Sequence, residues 1–157
     1  MTWVLGIDPG VTGAFAVFRP DGTLHEVLDM PIIQVKVGDT MRPRVCAVGV
    51  RMLIRNTPVC SVAYLERVGP SSSAAGSFTF GRSVGVVEGV LASYGTPVVL
   101  VSPQKWQPHF GIKGKDKLMS RAMAARLFPE HKSLFARVKD DGRSDSCLIG
   151  LYGIQHA

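Results

Sequence analysis

The chain has 157 residues, a formal net charge of +6 and an isoelectric point near 9.6, and 46% of its residues are hydrophobic. This length suits one domain with a full core, so we expect residues 1–157 to form a single domain. The composition excludes a disordered chain, and no apolar run reaches the ~18 residues of a membrane helix. No signal peptide is predicted, and the three scattered cysteines fit neither a zinc motif nor a disulfide framework. We therefore expect a protein of the reducing cytoplasm.

The basic charge is concentrated in the C-terminal third of the sequence. Between Lys105 and Lys139 there are nine Lys and Arg residues and two acidic ones, a net charge of +7, so the remainder of the chain sums to −1. A surface of this kind suits a polyanionic partner such as a nucleic acid, although charge alone does not identify it.

The first part of the chain predicts an antiparallel meander of three strands followed by a helix. Apolar, partly β-branched runs are separated by turn signals at Pro9-Gly10 and Asp21-Gly22. These runs are 2–8, 11–19 and 23–30. We interpret 31–42 as a loop because it mixes Pro, Gly and polar residues. A helix is predicted over 44–56 from an apolar stripe. The stripe consists of Val45, Val48, Met52 and Leu53.

A second buried strand, 58–65, ends on Glu66. A helix between this strand and the meander is typical of an α/β fold in which the two strands are parallel. The later elements follow in order. They are a Ser/Gly-rich loop, a helix over 80–94, a strand over 96–101 and a short helix from Ser102-Pro103. A further helix is capped by Asp116, and its expected buried residues are Leu118, Met119, Met123 and Leu127. The last helix begins at about Asp141, and its expected buried residues are Cys147, Leu148, Leu151 and Ile154. We therefore predict an α/β fold with a mixed sheet, an antiparallel three-strand meander plus parallel strands, flanked by helices.

Glycine recurs at every fourth position of the predicted helix over 80–94, at Gly81, Gly85 and Gly89. Glycines lower the stability of a helix, so their expected benefit is the close approach of a neighbour. The sequence leaves open whether that neighbour belongs to this chain or to a second subunit.

Two buried strands end on a carboxylate, Asp8 and Glu66. A buried carboxylate is costly to desolvate unless a positive charge meets it. Asp8-Pro9-Gly10 also has the composition of a simple turn, and the sequence alone does not choose between the two roles. If the two strands are neighbours, however, both carboxylates lie at the same edge of the sheet.

Three further acids, Asp140, Asp141 and Asp145, lie near the start of the last predicted helix. Asp141 and Asp145 share one helix face, although acids in a first turn also serve only to complement the helix dipole. Four carboxylates held together raise one another's pKa values unless a cation neutralises them. Oxygen ligands without His or Cys select Mg²⁺ or Mn²⁺, and two such ions suit phosphoryl displacement. An acidic metal site on a basic protein is what a nuclease requires.

Several motifs, in this order and spacing, resemble the RuvC family of Holliday junction resolvases, which belongs to the ribonuclease H-like superfamily. They are Gly6-Ile-Asp-Pro-Gly10, Glu66 after an apolar strand, Phe80-Gly-Arg-Ser-Val-Gly-Val-Val-Glu-Gly-Val, Val101-Ser-Pro-Gln-Lys-Trp, Ser120-Arg-Ala followed by Arg-Leu-Phe-Pro, and Asp141-Gly-Arg-Ser-Asp145. The resemblance covers nearly the whole chain and is strongest to the phage and plastid branch. It implies a homodimeric, Mg²⁺-dependent crossover junction endodeoxyribonuclease, in which Mn²⁺ is expected to substitute, that nicks two strands symmetrically and leaves 5′-phosphate ends. The source would be bacterial, phage-encoded or organellar.

The resemblance also implies site residues. Asp8, Glu66 and Asp145 match the metal-binding carboxylates of the family. The bacterial spacing would place the fourth at Gly142, whereas the phage and plastid pattern favours Asp141, with Asp140 as the fallback. In the implied two-metal mechanism Asp8 bridges both ions, Glu66 and Asp145 each hold one, and Asp141 completes the second site or orients water.

The resemblance further implies DNA contacts. Lys117 matches a family lysine near the scissile phosphate. The other expected phosphate contacts are Lys105, Lys113, Lys115 and Arg121. Bacterial members carry an aromatic wedge three residues after the catalytic Glu, where this chain has Gly69. We expect Phe78 or Phe80 to stack on an unpaired base in its place, with a core or dimer-interface role as the alternative, which is favoured for Phe80.

Other functions remain open at this stage. The same fold could serve as a nuclease for structured RNA or other branched DNA, or as a non-catalytic junction-binding protein. The stretch Gly6-Ile-Asp-Pro-Gly-Val-Thr-Gly13 also resembles the first phosphate loop of actin-like ATPases and sugar kinases. Those proteins need two such domains and much more chain than 157 residues.

Overall fold

The computed structural model describes residues 2–114 and 116–157. The strands in this part of the chain are β1 (Trp3–Asp8), β2 (Ala14–Phe18), β3 (Leu24–Asp29), β4 (Ile32–Val37), β5 (Thr40–Val45), β6 (Cys60–Glu66) and β7 (Val98–Val101). The α-helices are α1 (Ala47–Asn56), α2 (Ala74–Ser93), α3 (Pro103–His109), α4 (Lys117–Leu127) and α5 (Asp141–Gln155), with 3₁₀ helices at Pro129–Phe135 and Val138–Asp140. Within these residues no helix is long and apolar enough to cross a membrane.

The central sheet has five strands in the order β3-β2-β1-β6-β7. β1, β2 and β3 form an antiparallel meander, and β1, β6 and β7 run parallel. The predicted mixed α/β sheet is therefore confirmed. The register pairs Ile7 with Leu65, so the residues that follow them, Asp8 and Glu66, leave neighbouring strands at the same edge.

Helices cover both faces of the sheet. On one face, α1 and α2 bury apolar residues such as Val50 and Val87 against the strands. On the other face, the core is built around α5 and α4, with Trp106 of α3 fully buried beside them. α5 crosses β1 so closely that a Cβ atom on Gly6 would collide with the backbone of α5 at Ser146 and Gly150, and a Cβ atom on Gly150 would collide with the ring of Phe18. This contact fixes the position of α5 over the strand that carries Asp8.

The loop predicted over 31–42 is wrong, because these residues form most of a β-hairpin. β4 and β5 pair antiparallel as a separate two-stranded sheet, from Ile32 opposite Val45 to Val37 opposite Thr40. Gly38 makes the turn with a φ of +60°. The Pro and Gly content concealed the alternation of apolar and polar side chains along β4, which is a strand signal.

The helices near 44–56 and 117–127 exist, but only part of each predicted buried face is confirmed: Val45, Leu53 and Met123 pack into the core, whereas the prediction is wrong for Val48, Met52, Leu118, Met119 and Leu127. In α1, Val48 is 70% exposed, while Val50 and Ile54 are buried. In α4, small residues are buried and large ones such as Leu118 are exposed. Small side chains allow α4 to approach α5, so packing overrode the pattern of the larger apolar residues. The inward face predicted for α5 is confirmed for Cys147 and Leu148, which are fully buried.

α2 begins at Ala74, six residues before the predicted start at 80, and the Ser73 side chain caps it. No atom of the described chain lies within 4 Å of a Cβ placed on Gly81, Gly85 or Gly89. The close neighbour expected for these glycines is therefore not found in the part of this chain that the structure describes. A neighbour from a second subunit stays a prediction.

Candidate active site

Asp8 both shapes the turn after β1 and presents a carboxylate at the end of the sheet. The backbone N–H of Gly10 donates to Oδ1 of Asp8 at 3.1 Å, and Gly13 N–H donates to the carbonyl of Gly10 at 2.8 Å. The tight turn leaves no room for a side chain at Gly13, because a Cβ there would collide with the Asp8 carbonyl. The turn interpretation and the site interpretation are thus compatible.

Glu66 lies beside Asp8 and is held by a buried tryptophan. The indole Nε1–H of Trp106 donates to Oε1 of Glu66 at 3.2 Å, and Trp106 itself is fully buried. We did not predict this contact from the sequence. A buried indole N–H needs an acceptor, and that requirement was the available signal.

Asp145 reaches the site from the first turns of α5 and is only 2% exposed. The ammonium of Lys117 donates to Oδ2 of Asp145, while Oδ1 has no hydrogen-bond partner in the described structure. Gly142 of α5 packs against the backbone of Thr12 and Gly13, where a Cβ would collide. The bacterial position of the fourth carboxylate is therefore occupied here by backbone contact between α5 and the β1–β2 turn.

Asp141 and Asp140 have different surroundings. Oδ1 of Asp141 lies 3.0 Å from Nε of Arg121, and the charge of Asp141 acts on both Asp8 and Asp145. Asp140 is 1% exposed and accepts hydrogen bonds from the guanidinium and backbone N–H of Arg137. The fallback carboxylate is thus engaged in a structural ion pair, and Asp141 is the one that acts on the site.

The carboxylates of the site hold their protons unusually well. Burial, and after it the charge of Asp145, raise the pKa of Asp8 to about 6. Burial also raises the pKa of Glu66 to about 7, with added repulsion from Asp8 and Asp145. The pKa of Asp145 is raised by burial, although Lys117 acts against the increase. Burial works against the charge of Lys117 as well, yet Asp145, Asp8 and Glu66 together raise its pKa.

This set of groups has the chemistry of a cation site. The carboxylates repel one another, and Oδ1 of Asp145 is buried without a partner. Both conditions are relieved when a positive charge enters. In the described residues, however, no three Asp, Glu, His or Cys side chains are arranged so that they could hold a metal as they stand. The positive charge next to Asp145 in this structure is the ammonium of Lys117.

An open cleft of about 900 Å³ lies over the site. Its walls include Asp8, Glu66 and Lys117, and its rim is formed by the segment 67–72 and by Phe80. Gln104 and Gln107 of α3 line the opposite side. The cleft therefore combines carboxylates, one ammonium group and an aromatic side chain in a space that is open to a large ligand.

The predicted DNA contacts are distributed unevenly around this cleft. Lys105 and Lys113 are exposed but are not among the described residues that line it. Lys115 lies outside the described residues. Arg121 is partly buried against Asp141, and Phe78 is 70% exposed on another side of α2. Of the two aromatic candidates, Phe80 is the one at the cleft.

Searches of the sequence found no matching family model and no matching curated protein. Solved structures do match. Thermus thermophilus RuvC in complex with a Holliday junction substrate shows 18% identity and a TM-score of 0.61, over 97% of this chain and 92% of that one. A second structure of the Thermus thermophilus protein shows 16% identity and a TM-score of 0.56, over 96% of this chain and 92% of that one.

A third match is the yeast mitochondrial Holliday junction resolvase Ydc2. It shows 19% identity and a TM-score of 0.52, over 95% of this chain and 76% of that one. At such identities a structural likeness establishes the fold. The chain has the mixed α/β, ribonuclease H-like fold of the RuvC-type resolvases.

Proposed function

We propose that this chain, a single RuvC-like domain over 1–157, is a structure-selective DNA endonuclease that resolves four-way junctions. It cuts by metal-dependent phosphodiester hydrolysis, with symmetric nicks that leave 5′-phosphates. One observation carries the proposal. In the fold shared with junction resolvases, Asp8 and Glu66 end two neighbouring parallel strands beside an open cleft, and the charge of Asp145 on α5 acts on both of them. We also propose a cytoplasmic location.

The residues present fit Mg²⁺, with Mn²⁺ as a substitute, because the set offers only oxygen ligands and two of its buried carboxylate oxygens, Oδ1 of Asp141 and Oδ1 of Asp145, have no hydrogen-bond partner among the described residues. Asp8, Glu66, Asp145 and Asp141 would hold the ions. When bound, such ions stabilise the attacking and leaving oxygens of a phosphoryl displacement.

The chain's own groups then have distinct tasks. Trp106 fixes the orientation of Glu66 through its indole N–H. The Lys117 ammonium lies at the cleft and can leave Asp145 to stabilise the negative charge that develops on the scissile phosphate. Lys105, Lys113, Lys115 and Arg121 supply phosphate contacts outside the reacting group, and Phe80 replaces Phe78 as the residue proposed to stack on a base.

We also propose a homodimer, because symmetric nicking needs two sites. Gly81 and Gly85 line a groove of about 390 Å³ between α2 and the end of the sheet, where Leu100 of β7 is half exposed. A Cβ built on either glycine meets no atom of the described chain beyond the adjoining backbone of α2, so a second copy could approach α2 closely at these two positions. Sedimentation of the purified protein tests this part of the proposal.

The decisive experiment is cleavage of a synthetic four-way junction with and without Mg²⁺. The wild type is expected to cut only with Mg²⁺, and Asp8→Asn is expected to lose cleavage while junction binding is retained. Glu26→Gln on β3 is the matched control, since it removes a carboxylate from the same sheet away from the cleft. Full activity of Asp8→Asn would contradict the assignment of the site.

A second candidate function, the cleavage of other branched DNA, is favoured by the rim of the cleft. The segment 67–72 of the rim has no aromatic side chain, and Gly69 stands at the position of the bacterial wedge, so Phe80 on α2 is the aromatic group of this rim. Four-way junction, fork, linear duplex and RNA–DNA hybrid should be compared at one salt concentration, because phosphate contacts make affinity salt-dependent. Preferential cutting of the fork would favour this second candidate.

A further inference from the structure

A second basic surface lies on the side of α2 that faces β5. Arg44 of β5 and Arg82 of α2 line one depression together with the side chains of Phe78 and Val86. Arg42 lies two residues before Arg44 and therefore on the same face of the hairpin. We call Arg42, Arg44, Arg82 and Phe78 the outer basic surface.

The arginines of this surface have no ion-pair partner in the part of the chain that the structure describes. None of the ion pairs found among the described residues involves Arg42, Arg44 or Arg82. No carboxylate lines the depression that Arg44 and Arg82 share. Like charges in one place repel each other, and an anion that bridges them removes the repulsion. The overall charge of −1 outside the C-terminal third conceals this local excess of positive charge.

The outer basic surface and the cleft lie on different sides of the same helix. Phe78 and Phe80 are two positions apart on α2, which places them about 200° apart around the helix axis. Phe80 lines the cleft, whereas Phe78 lines the depression with Arg44 and Arg82. The groove proposed for the dimer shares Glu66, Phe80 and the segment 67–70 with the cleft, but it has no lining residue in common with the depression. A ligand can therefore occupy the outer basic surface without covering either of the others.

We propose that the outer basic surface binds the phosphate backbone of duplex DNA, in an arm of the branched substrate beyond the strands that are cut. The identification of this DNA as an arm of a branched substrate rests on the proposed function. A polyanion suits the surface better than a second copy of this chain, which has a net charge of +6. A two-fold contact through this surface would also bring identical arginines together.

The test compares two double variants that remove the same charge. Arg44→Gln/Arg82→Gln removes it from the outer basic surface, and Arg51→Gln/Arg55→Gln removes it from the exposed side of α1. Binding is measured in EDTA, as a salt series, on four-way junctions with long and with short arms. For the long-arm junction, we expect the slope of log K against log salt to fall by about two in magnitude for the first variant and to stay unchanged for the second. For the short-arm junction, neither variant should change the slope.

Other outcomes are equally informative. An unchanged slope for Arg44→Gln/Arg82→Gln on the long-arm junction overturns the inference, and so does a change in the sedimentation of this variant alone, which would indicate a contact between copies. If the double variant does not fold, Arg42→Gln on the exposed strand should still lower the slope by about one. A wild type that binds junctions but never cuts them would refute the proposed catalysis while leaving the outer basic surface supported.

Discussion

The indole N–H of Trp106 donates to Oε1 of Glu66 across 3.2 Å, which joins the hydrophobic core to the edge of the candidate active site. Glu66 is thereby held at the end of β6 by a group that cannot move without disturbing the core. We therefore expect Trp106 to act as a positioning residue for Glu66.

Trp106→Phe should keep the ring packing and remove only the donor. A hydrogen bond to a charged group is worth about 1.5–3 kcal/mol, so we expect kcat for junction cleavage to fall by roughly 10- to 100-fold. KM for the junction should stay unchanged, while the Mg²⁺ concentration that gives half-maximal activity should rise. A variant that lost only thermal stability and kept kcat would show that Trp106 is merely a core residue.

Lys117→Met should separate the role of this residue in folding from its role in cleavage. Without metal, Asp145 would be left buried without its counter-charge. We expect a loss of about 1–2 kcal/mol, since the Lys117 side chain is 48% exposed. Added Mn²⁺ should restore the thermal stability of the variant but not its cleavage. Lys117→Arg, which keeps the charge, is the control. Equal melting temperatures of the metal-free wild type and Lys117→Met would refute the counter-ion role.

The metal-free protein should become less stable as the pH rises from about 4 to 7. Asp8 and Glu66 have folded-state pKa values of about 6 and about 7, above their ordinary values of 3.8 and 4.5. The folded state therefore retains protons that the unfolded state has already released, and this advantage is lost as the pH passes the folded-state values.

Thermal unfolding in EDTA at pH 5 and pH 8 tests this sign. We expect the melting temperature to be lower at pH 8 by at least about 3 °C, and Asp8→Asn to reduce the difference. Mg²⁺ or Mn²⁺ at pH 8 should raise the melting temperature of the wild type. A wild type that is more stable at pH 8 in EDTA would contradict the raised pKa values.

The neighbouring acids Asp140 and Asp141 should respond in opposite ways to the same substitution. Asp140→Asn weakens the pair between the buried Asp140 carboxylate and the half-exposed guanidinium of Arg137, so we expect a loss of about 1–2 kcal/mol and a melting temperature lower by roughly 2–8 °C. Asp141→Asn should unfold near the wild-type temperature but need more Mg²⁺ or Mn²⁺ for half-maximal binding. Calorimetric titration with Mn²⁺ separates the two. Weakened Mn²⁺ binding in folded Asp140→Asn would instead assign the fourth ligand to Asp140.

The meander, the parallel pair and the edge shared by Asp8 and Glu66 could be predicted because buried strands have a strong local signature. The hairpin of β4 and β5 could not be predicted, because prolines such as Pro31 and Pro43 usually indicate a loop. Proline is tolerated at the end of a strand or on an edge strand, and only the fold shows that these two prolines lie at such positions. The buried faces of α1 and α4 depended on which neighbours they meet, which no local pattern contains.

The functional roles of the candidate site residues stay a prediction, but the proximity of their side chains can be compared with the sequence analysis. The sequence indicated that Asp8, Glu66 and Asp145 would meet, and their mutual effect on pKa agrees with this. The sequence did not indicate that Trp106 would donate a hydrogen bond to Glu66, because a lone tryptophan is usually a core residue. Nor did it indicate that Phe80 rather than Phe78 would face the cleft, since that depends on the rotation of α2 about its axis.

The crossing of α5 over β1 at Gly6 and Gly150 has a consequence for cooperativity. Asp8 and Asp145 stand near opposite ends of the sequence, and the contact that unites them is one of backbone against backbone. Such a non-local contact forms only when the domain folds as a whole. Catalytic competence should therefore be an all-or-none property, lost at the same denaturant midpoint as the tertiary structure, with no partly folded species able to damage DNA.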